Sequence, residues 1–368
     1  MLTKSLCCSR LPPDVAGMIV DHMDVRSILA WRDTCVVNYA HATAALKRTL
    51  TAMLNSFLLQ PNALLDVISR YGAVIGGETA LAFVLRHRPF QPLTLEIFAN
   101  TSMYRPFCHE VVTDPRIGPD IVEVSLTTTR YPYNVDRDIL ETTCIHMRST
   151  RTIYVHRSAT LSPLSPIARS LCTALVNFVT PHSFGCAYPR LTFDDKSLLS
   201  DLRQASMNDL DKDIMRMLSE QQIAVAVDPA SWQRYRPWSS TPSVVGSMKA
   251  CWRSHHICPD QGRFFGDNGS LVDFLDPIGM PVALLEERGS PPFGTAVMWR
   301  LFSSYRCPLS CESHDSNLPL GQTSTAVILV DDPFVHPQRE RLDSASSRRG
   351  VVYRRLSAKV HRNRSVSL

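Results

Sequence analysis

No run of about 18 uncharged apolar residues occurs in the 368-residue chain, so the usual signature of a membrane-spanning helix is missing. Met1 to Arg10 carries Lys4 and the pair Cys7-Cys8 but no apolar core, and is expected not to be a secretory leader. Densely paired cysteines are lacking as well. The 11 present are odd in number and scattered, several of them in apolar surroundings (Cys35, Cys144, Cys172), which excludes a small disulfide scaffold and predicts reduced thiols. No G-x-S-x-G elbow supports Ser-His-Asp chemistry, and no internal repeat is visible. The expectation is a soluble intracellular protein, cytoplasmic and/or nuclear.

The body also lacks a strong charge of one sign. From His336 to Leu368 eight Arg and one Lys face two acids, a local +7 that leaves the rest of the chain at −2 of its total +5. A near-neutral body argues against a broad nucleic-acid-binding surface on the folded part. Beyond Pro337 the Arg/Ser-rich sequence has too little apolar content to offset ordering entropy, and disorder is expected there. Its arginine clusters (Arg348-Arg349, Arg354-Arg355, Arg362 and Arg364) fit nuclear import, an acidic partner or a kinase recognising nearby serines, and equally a solvated tail without a specific role.

What is present reads as α+β. The 44% apolar and 20% charged content is that of an ordinary globular protein, and the 25 prolines imply many loops. Near the start Val15, Met18, Ile19 and Met23 share a helical face. Asp24 is a good cap for a second helix carrying Ile28, Trp31 and Cys35, and Val36, Tyr39, Ala40 and Thr43 lead into a third. Leu50, Met53, Leu54, Phe57 and Leu58 form a further stripe, closed by Pro61. Then the pattern changes. Ala73–Ile75 reads as a buried strand, Gly76-Gly77 as a turn into a helix from Glu78 to Leu85, and Leu93–Phe98, Ile121–Leu126 and Thr152–His156 as strands. Ser165 with Pro166 opens the clearest predicted helix, whose buried face is Ile167, Ala168, Leu171, Ala174, Leu175 and Phe178. An amphipathic helix is predicted from Asp209, and strands at Met280–Leu285, Ala296–Leu301 and Ala326–Val330. The resulting division is a helical module over 8–50, a helical connector over 51–70, an α/β domain over 71–200, an α/β extension over 201–336 and a basic tail over 337–368.

The opening helices carry Leu11-Pro12, Asp14, Ile19, Asp24, Ser27, Leu29 and Cys35, and in these residues the segment resembles an F-box, a three-helix module of roughly forty residues. The resemblance implies docking onto a Skp-type adaptor of a cullin ubiquitin ligase, with Leu11, Pro12, Ile19 and Leu29 as contacts and the body recruiting an unknown protein target. The competing expectation is a helical cap folded onto the domain behind it. Physical reasoning accommodates both, because so short a trio cannot bury all its apolar surface alone.

Ile75-Gly76-Gly77-Glu78-Thr79-Ala80-Leu81, Leu93–Phe98, Ser165–Thr180 and Cys186–Phe193 are similar to proteins of mushroom-forming fungi that join an F-box-like segment to a nucleotidyltransferase-like fold. In that fold a Gly-Gly or Gly-Ser turn lets backbone N–H groups approach a triphosphate. Two carboxylates two residues apart on a strand, with a third from a neighbouring strand, hold Mg²⁺. Here the pair reads Thr94-Leu95-Glu96, and Thr152–His156 offers no acid. A lone Glu96 does not organise two divalent ions. The resemblance therefore implies a vestigial site at Gly76, Gly77, Thr94 and Glu96, with no catalytic residue, no cofactor and no metal. The rival is a divergent nucleotidyltransferase whose further acids are not visible in sequence.

Two clusters, Cys251-x3-His255-His256-x-Cys258 and Cys307-x3-Cys311-x2-His314, hold soft ligands, yet structural zinc sites use tighter pairs. Chance clustering among 11 Cys and 12 His accounts for them. Asp331-Asp332 precedes Pro333 and reads as a solvated turn.

Overall fold

The computed structural model describes residues 12–127, 138–200, 207, 209–236, 252–276, 295–301 and 325–329. Leu11, the strand predicted at Met280–Leu285, Asp331-Asp332 and the tail from 337 onward lie outside the described residues. The fold is mixed α+β, and the described helices hold none long and apolar enough to cross a membrane.

Three helices open the described chain: α1 (Pro13–Asp21), α2 (Val25–Arg32) and α3 (Val36–Leu54). Pro13 suits the first turn of α1, where a missing N–H costs nothing, and the Asp24 carboxylate caps α2 by accepting the Ser27 N–H at 2.6 Å. The face of α1 that packs inward is Ala16 and Val20, while Met18 and Ile19 point out, so the buried stripe is rotated from the predicted one. The third helix and the following stripe prove to be one 19-residue helix that runs through Leu50. Pro61 opens a helix instead of closing one: α4 spans Pro61–Tyr71 and ends on Gly72 in the left-handed conformation.

Beyond α4 come β1 (Val74–Gly76), α5 (Gly77–Val84), β2 (Thr94–Ala99), α6 (Tyr104–Thr113), β3 (Ile121–Thr127), β4 (Ile139–Met147) and β5 (Thr152–Ser158). They are followed by α7 (Leu164–Ala168), β6 (Asn177–Val179), β7 (Ser183–Cys186), α8 (Pro189–Phe193), β8 (Lys196–Leu198), α9 (Asp209–Glu220) and β9 (Ala224–Ala226). The last described strands are β10 (Arg263–Phe264), β11 (Leu271–Phe274), β12 (Thr295–Trp299) and β13 (Thr325–Leu329). Eight of them form one sheet in the order β11-β7-β6-β1-β2-β5-β4-β3, antiparallel throughout except for the β2–β5 pair.

Alternation along the central strands sends side chains to two cores. Ile75, Leu95, Ile97, Ile153 and Val155 pack with α3, α4 and α6 residues such as Leu50, Leu64 and Phe107. Val74, Phe98 and Phe178 pack on the other face with Ile167, Trp252, Phe265 and Trp299. The first core is continuous with Val20, Val25, Ile28 and Leu29, so the opening helices share the interior of the body.

The helix predicted from Ser165 to Phe178 is not one helix. It breaks into α7, a 3-10 turn at Thr173–Leu175 and the central strand β6. Every residue from Leu164 to Thr180 is buried, the polar ones included. Some partners are tertiary, as where Ser197 Oγ accepts the Ala174 N–H at 2.9 Å, and others local, as where Asn177 Nδ2 donates to the Ala174 carbonyl at 2.6 Å. A helical spacing of apolar residues carries no information where the intervening positions are equally buried.

Candidate functional site

The Gly-Gly turn joins β1 to α5 at the centre of the sheet. In the β1–β2 ladder Gly76 stands directly opposite Glu96, and in the β2–β5 ladder Glu96 faces Tyr154 and Thr94 faces Thr152. The four predicted residues Gly76, Gly77, Thr94 and Glu96 are thus brought together. Neither glycine tolerates a side chain. A Cβ on Gly76 would lie 2.6 Å from the Phe98 ring, and one on Gly77, whose φ is +58°, would lie 2.5 Å from Glu96 Oε2.

The Glu96 carboxylate therefore rests against the first residue of α5, and it is 4% exposed. A carboxylate is favoured at the positive end of a helix. Glu78, in the first turn of α5, accepts the Leu93 N–H at 3.2 Å, and burial pushes its carboxyl above the usual range.

The neighbouring strand supplies no acid on this face. It supplies Tyr154 and His156, whose rings stack 6.3 Å apart. His156 is fully buried, lies 3.0 Å from Thr142 Oγ1, and is held neutral by burial, its pKa lowered to about 3. Among the described residues no three His, Cys, Asp or Glu side chains gather as a metal site. His255, His256 and Cys258 are described, whereas Cys251, Cys307, Cys311 and His314 lie outside the described residues.

Sequence reasoning missed the buried charge pairs, of which Asp138–Arg169 is an example. Asp138 Oδ2 accepts from Arg169 Nη1 at 2.6 Å, with both side chains almost fully covered, and burial outweighs the guanidinium to leave the Asp138 carboxyl raised. The two residues lie 31 apart and no local pattern joins them.

The second candidate surface is the helical trio. Pro12 is exposed, Ile19 is 39% exposed and Leu29 only 7%, so the predicted contacts do not share one accessible face. Leu29 packs inward beside Val25, Ile28 and Leu46, which corrects its assignment to an exposed docking set. Apolar side chains outside the predicted contact set are open instead: Met18 at 61% on α1, and Val36 at 82% and Val37 at 43% where α3 begins.

Polar clasps hold the trio to the body. Arg86, just after α5, donates to the carbonyls of Val20 (2.6 Å) and Met23 (3.1 Å) and to Thr49 Oγ1 (2.9 Å). Lys47 and Tyr39 both reach the Asp276 carboxylate, at 2.6 and 2.8 Å. A cleft of about 480 Å³ lies beside this junction, lined by Asp21, Arg48, Met53, Arg86 and Phe90.

The comparisons give no family name. No protein-family model, no curated protein and no solved structure matches the chain.

Proposed function

We propose that the chain is a non-catalytic, F-box-type interaction adaptor, the substrate-recognition subunit of a Skp–cullin ubiquitin ligase, whose α/β body recruits a protein target. The observation that carries this reading is the set of uncovered apolar side chains on the outer side of the trio, Met18, Ile19, Val36 and Val37, on helices whose inner side is fully packed. Burying such side chains against a partner removes apolar area from water at about 25 cal/mol per Å². Pro12 and Ile19 remain the predicted contacts that are accessible, joined by Met18 and Val36.

The body reads as nucleotidyltransferase-like without the chemistry. The order β1-β2-β5, with the Gly-Gly turn after β1 and the acid-bearing strand between its neighbours, supports that reading. Thr94 in place of a carboxylate, and Glu96 occupied at the start of α5, argue against catalysis. A second reading is favoured by one observation. Leu29 and the Arg86 clasp bind the trio into the common core, which suits helices that only cap the body.

Co-purification decides between them. The wild-type chain is expected to retain a Skp-type adaptor. Ile19→Asp and Val36→Asp are expected to lose it while their circular dichroism matches wild type, because an uncompensated charge in an apolar interface costs several kcal/mol. A wild-type chain that retains no adaptor would leave the capping reading standing.

A further inference from the structure

The two outer strands of the eight-stranded sheet are finished differently. At β11 the Arg32 guanidinium donates to the Phe274 carbonyl at 2.9 Å and pairs with Asp273 at 2.8 Å, so a side chain from the opening helices covers that edge. At β3 no described strand or side chain pairs with the outer edge. The strand is seven residues long and contains neither proline nor lysine. Val122, Val124 and Leu126 are 68%, 43% and 65% exposed along it. One irregularity, between Ile121 and Glu123, interrupts the ladder, and Glu123–Thr127 pairs regularly with β4. Natural sheets blunt their edges with charged side chains, proline, bulges, short strands or covering elements; in β3 Glu123 and the irregularity stand at one end, and the apolar stretch from Val124 to Leu126 is left as a template for another strand.

We propose that this edge pairs with β3 of a second copy of the chain, antiparallel about Ser125. The reason is self-complementarity, which a two-fold interface demands. About Ser125 the apolar positions are symmetric: Val124 faces Leu126 of the other copy, Glu123 faces Thr127, and Ser125 faces itself. No like charges are opposed, and both apolar pairs fall on one face, the arrangement that stabilises cross-strand neighbours. Moving the register by one residue sets Val124 against Ser125 and Glu123 against Leu126, mixing apolar with polar. Centring the pair on Val124 brings in Val122, which sits at the irregularity. The product is a continuous sheet across two chains, and the surface lies on an element separate from the helical trio.

Sedimentation velocity on the full chain tests the proposal. Wild type is expected to show a concentration-dependent species at twice the 41.2 kDa chain mass. Val124→Lys is expected to run as a monomer with an unchanged thermal melt. Adding Leu126→Glu to Val124→Lys sets lysine against glutamate twice across the dyad and is expected to bring the dimer back. Ser125→Cys supplies a second readout, because paired residues in an antiparallel ladder have Cα atoms about 4.5–5.5 Å apart, within disulfide reach. Mild oxidation should link that variant into dimers and leave wild type unlinked. A monomeric wild type across the accessible concentrations overturns the proposal. So does a dimer indifferent to Val124→Lys, or a Ser125→Cys chain that does not cross-link, since either means another face or another segment holds the copies together.

Discussion

Arg32 in α2 and Asp273 in β11 form an ion pair at 2.8 Å across 241 residues of sequence, with the guanidinium side chain 4% exposed and the carboxylate 25%. The second helix of the chain is thereby tied to the outermost strand of the sheet on that side. Removing Asp273 leaves the covered Arg32 guanidinium with the exposed Asp33 carboxylate, 3.6 Å away, as its remaining ion partner, so Asp273→Ala is expected to cost about 3 kcal/mol. Chemical denaturation measures it. Arg32→Met, which takes the charge away, is expected to cost less. Equal losses, or none, would mean the pair contributes through packing alone.

Leu29 separates core from surface within the trio. It is 7% exposed among Val25, Ile28 and Leu46, so Leu29→Ala is expected to lose about 2–4 kcal/mol and Leu29→Asp to prevent folding. Ile19→Asp, at a position 39% exposed, is expected to melt within a few degrees of wild type. A normal melt for Leu29→Asp would contradict the shared core.

Acid should weaken the protein through His156. Its pKa is about 3 in the folded chain against an ordinary 6.5, because burial disfavours the charged ring. Between those values the unfolded chain binds the proton and the folded chain does not, so stability falls as pH drops below about 6.5, by about 2 kcal/mol at pH 5. His182, His255 and His256 are also lowered by burial and add a smaller loss of the same sign. Denaturant midpoints for wild type and His156→Gln between pH 7 and pH 5 are the check. The variant, though less stable at pH 7, is expected to show a flatter dependence.

The Gly-Gly turn makes a fourth prediction. Gly77→Ala must hold a side chain at φ +58° with its Cβ 2.5 Å from Glu96 Oε2, and a loss of about 2–3 kcal/mol is expected. Glu96→Ala in the same chain removes the collision but not the backbone strain, so the two changes should sum to less than their separate costs. Strict additivity in urea unfolding would separate the two residues.

Calorimetric titration with ATP, GTP, CTP and UTP in the presence of Mg²⁺ or Mn²⁺ is expected to give no micromolar binding. Micromolar binding that disappears in Glu96→Gln would favour the nucleotidyltransferase reading over the adaptor.

Much of the local structure was legible in the residues. Asp24 before an apolar stripe marks the start of α2, because a carboxylate can accept an N–H the helix leaves unpaired. The glycines at 76 and 77 mark the turn after β1, and the strands β1, β2, β3, β5, β12 and β13 fall close to their predicted spans. The grouping of Gly76, Gly77, Thr94 and Glu96 came from the resemblance to the nucleotidyltransferase-like fold, and the pairing of β1 with β2 sets Gly76 opposite Glu96.

Tertiary structure alone decided the rest. Periodicity shows that a face is apolar but not which neighbour will cover it: the face of Met18 and Ile19 is legible in α1, but that Ala16 and Val20 are the residues that pack is not. The 164–180 segment fits a helix by spacing and becomes helix, turn and strand, with Arg169 and Thr173 bonded to Asp138 and Leu198 on distant elements. Arg32 and Asp273, or Asp138 and Arg169, carry no mark of one another in the chain. The amino-acid sequence determines local preferences within a few turns of each residue. Which charges meet, which leucine is core and which strand is left at the edge depend on contacts between segments far apart in sequence, where the free energy of burial is collected.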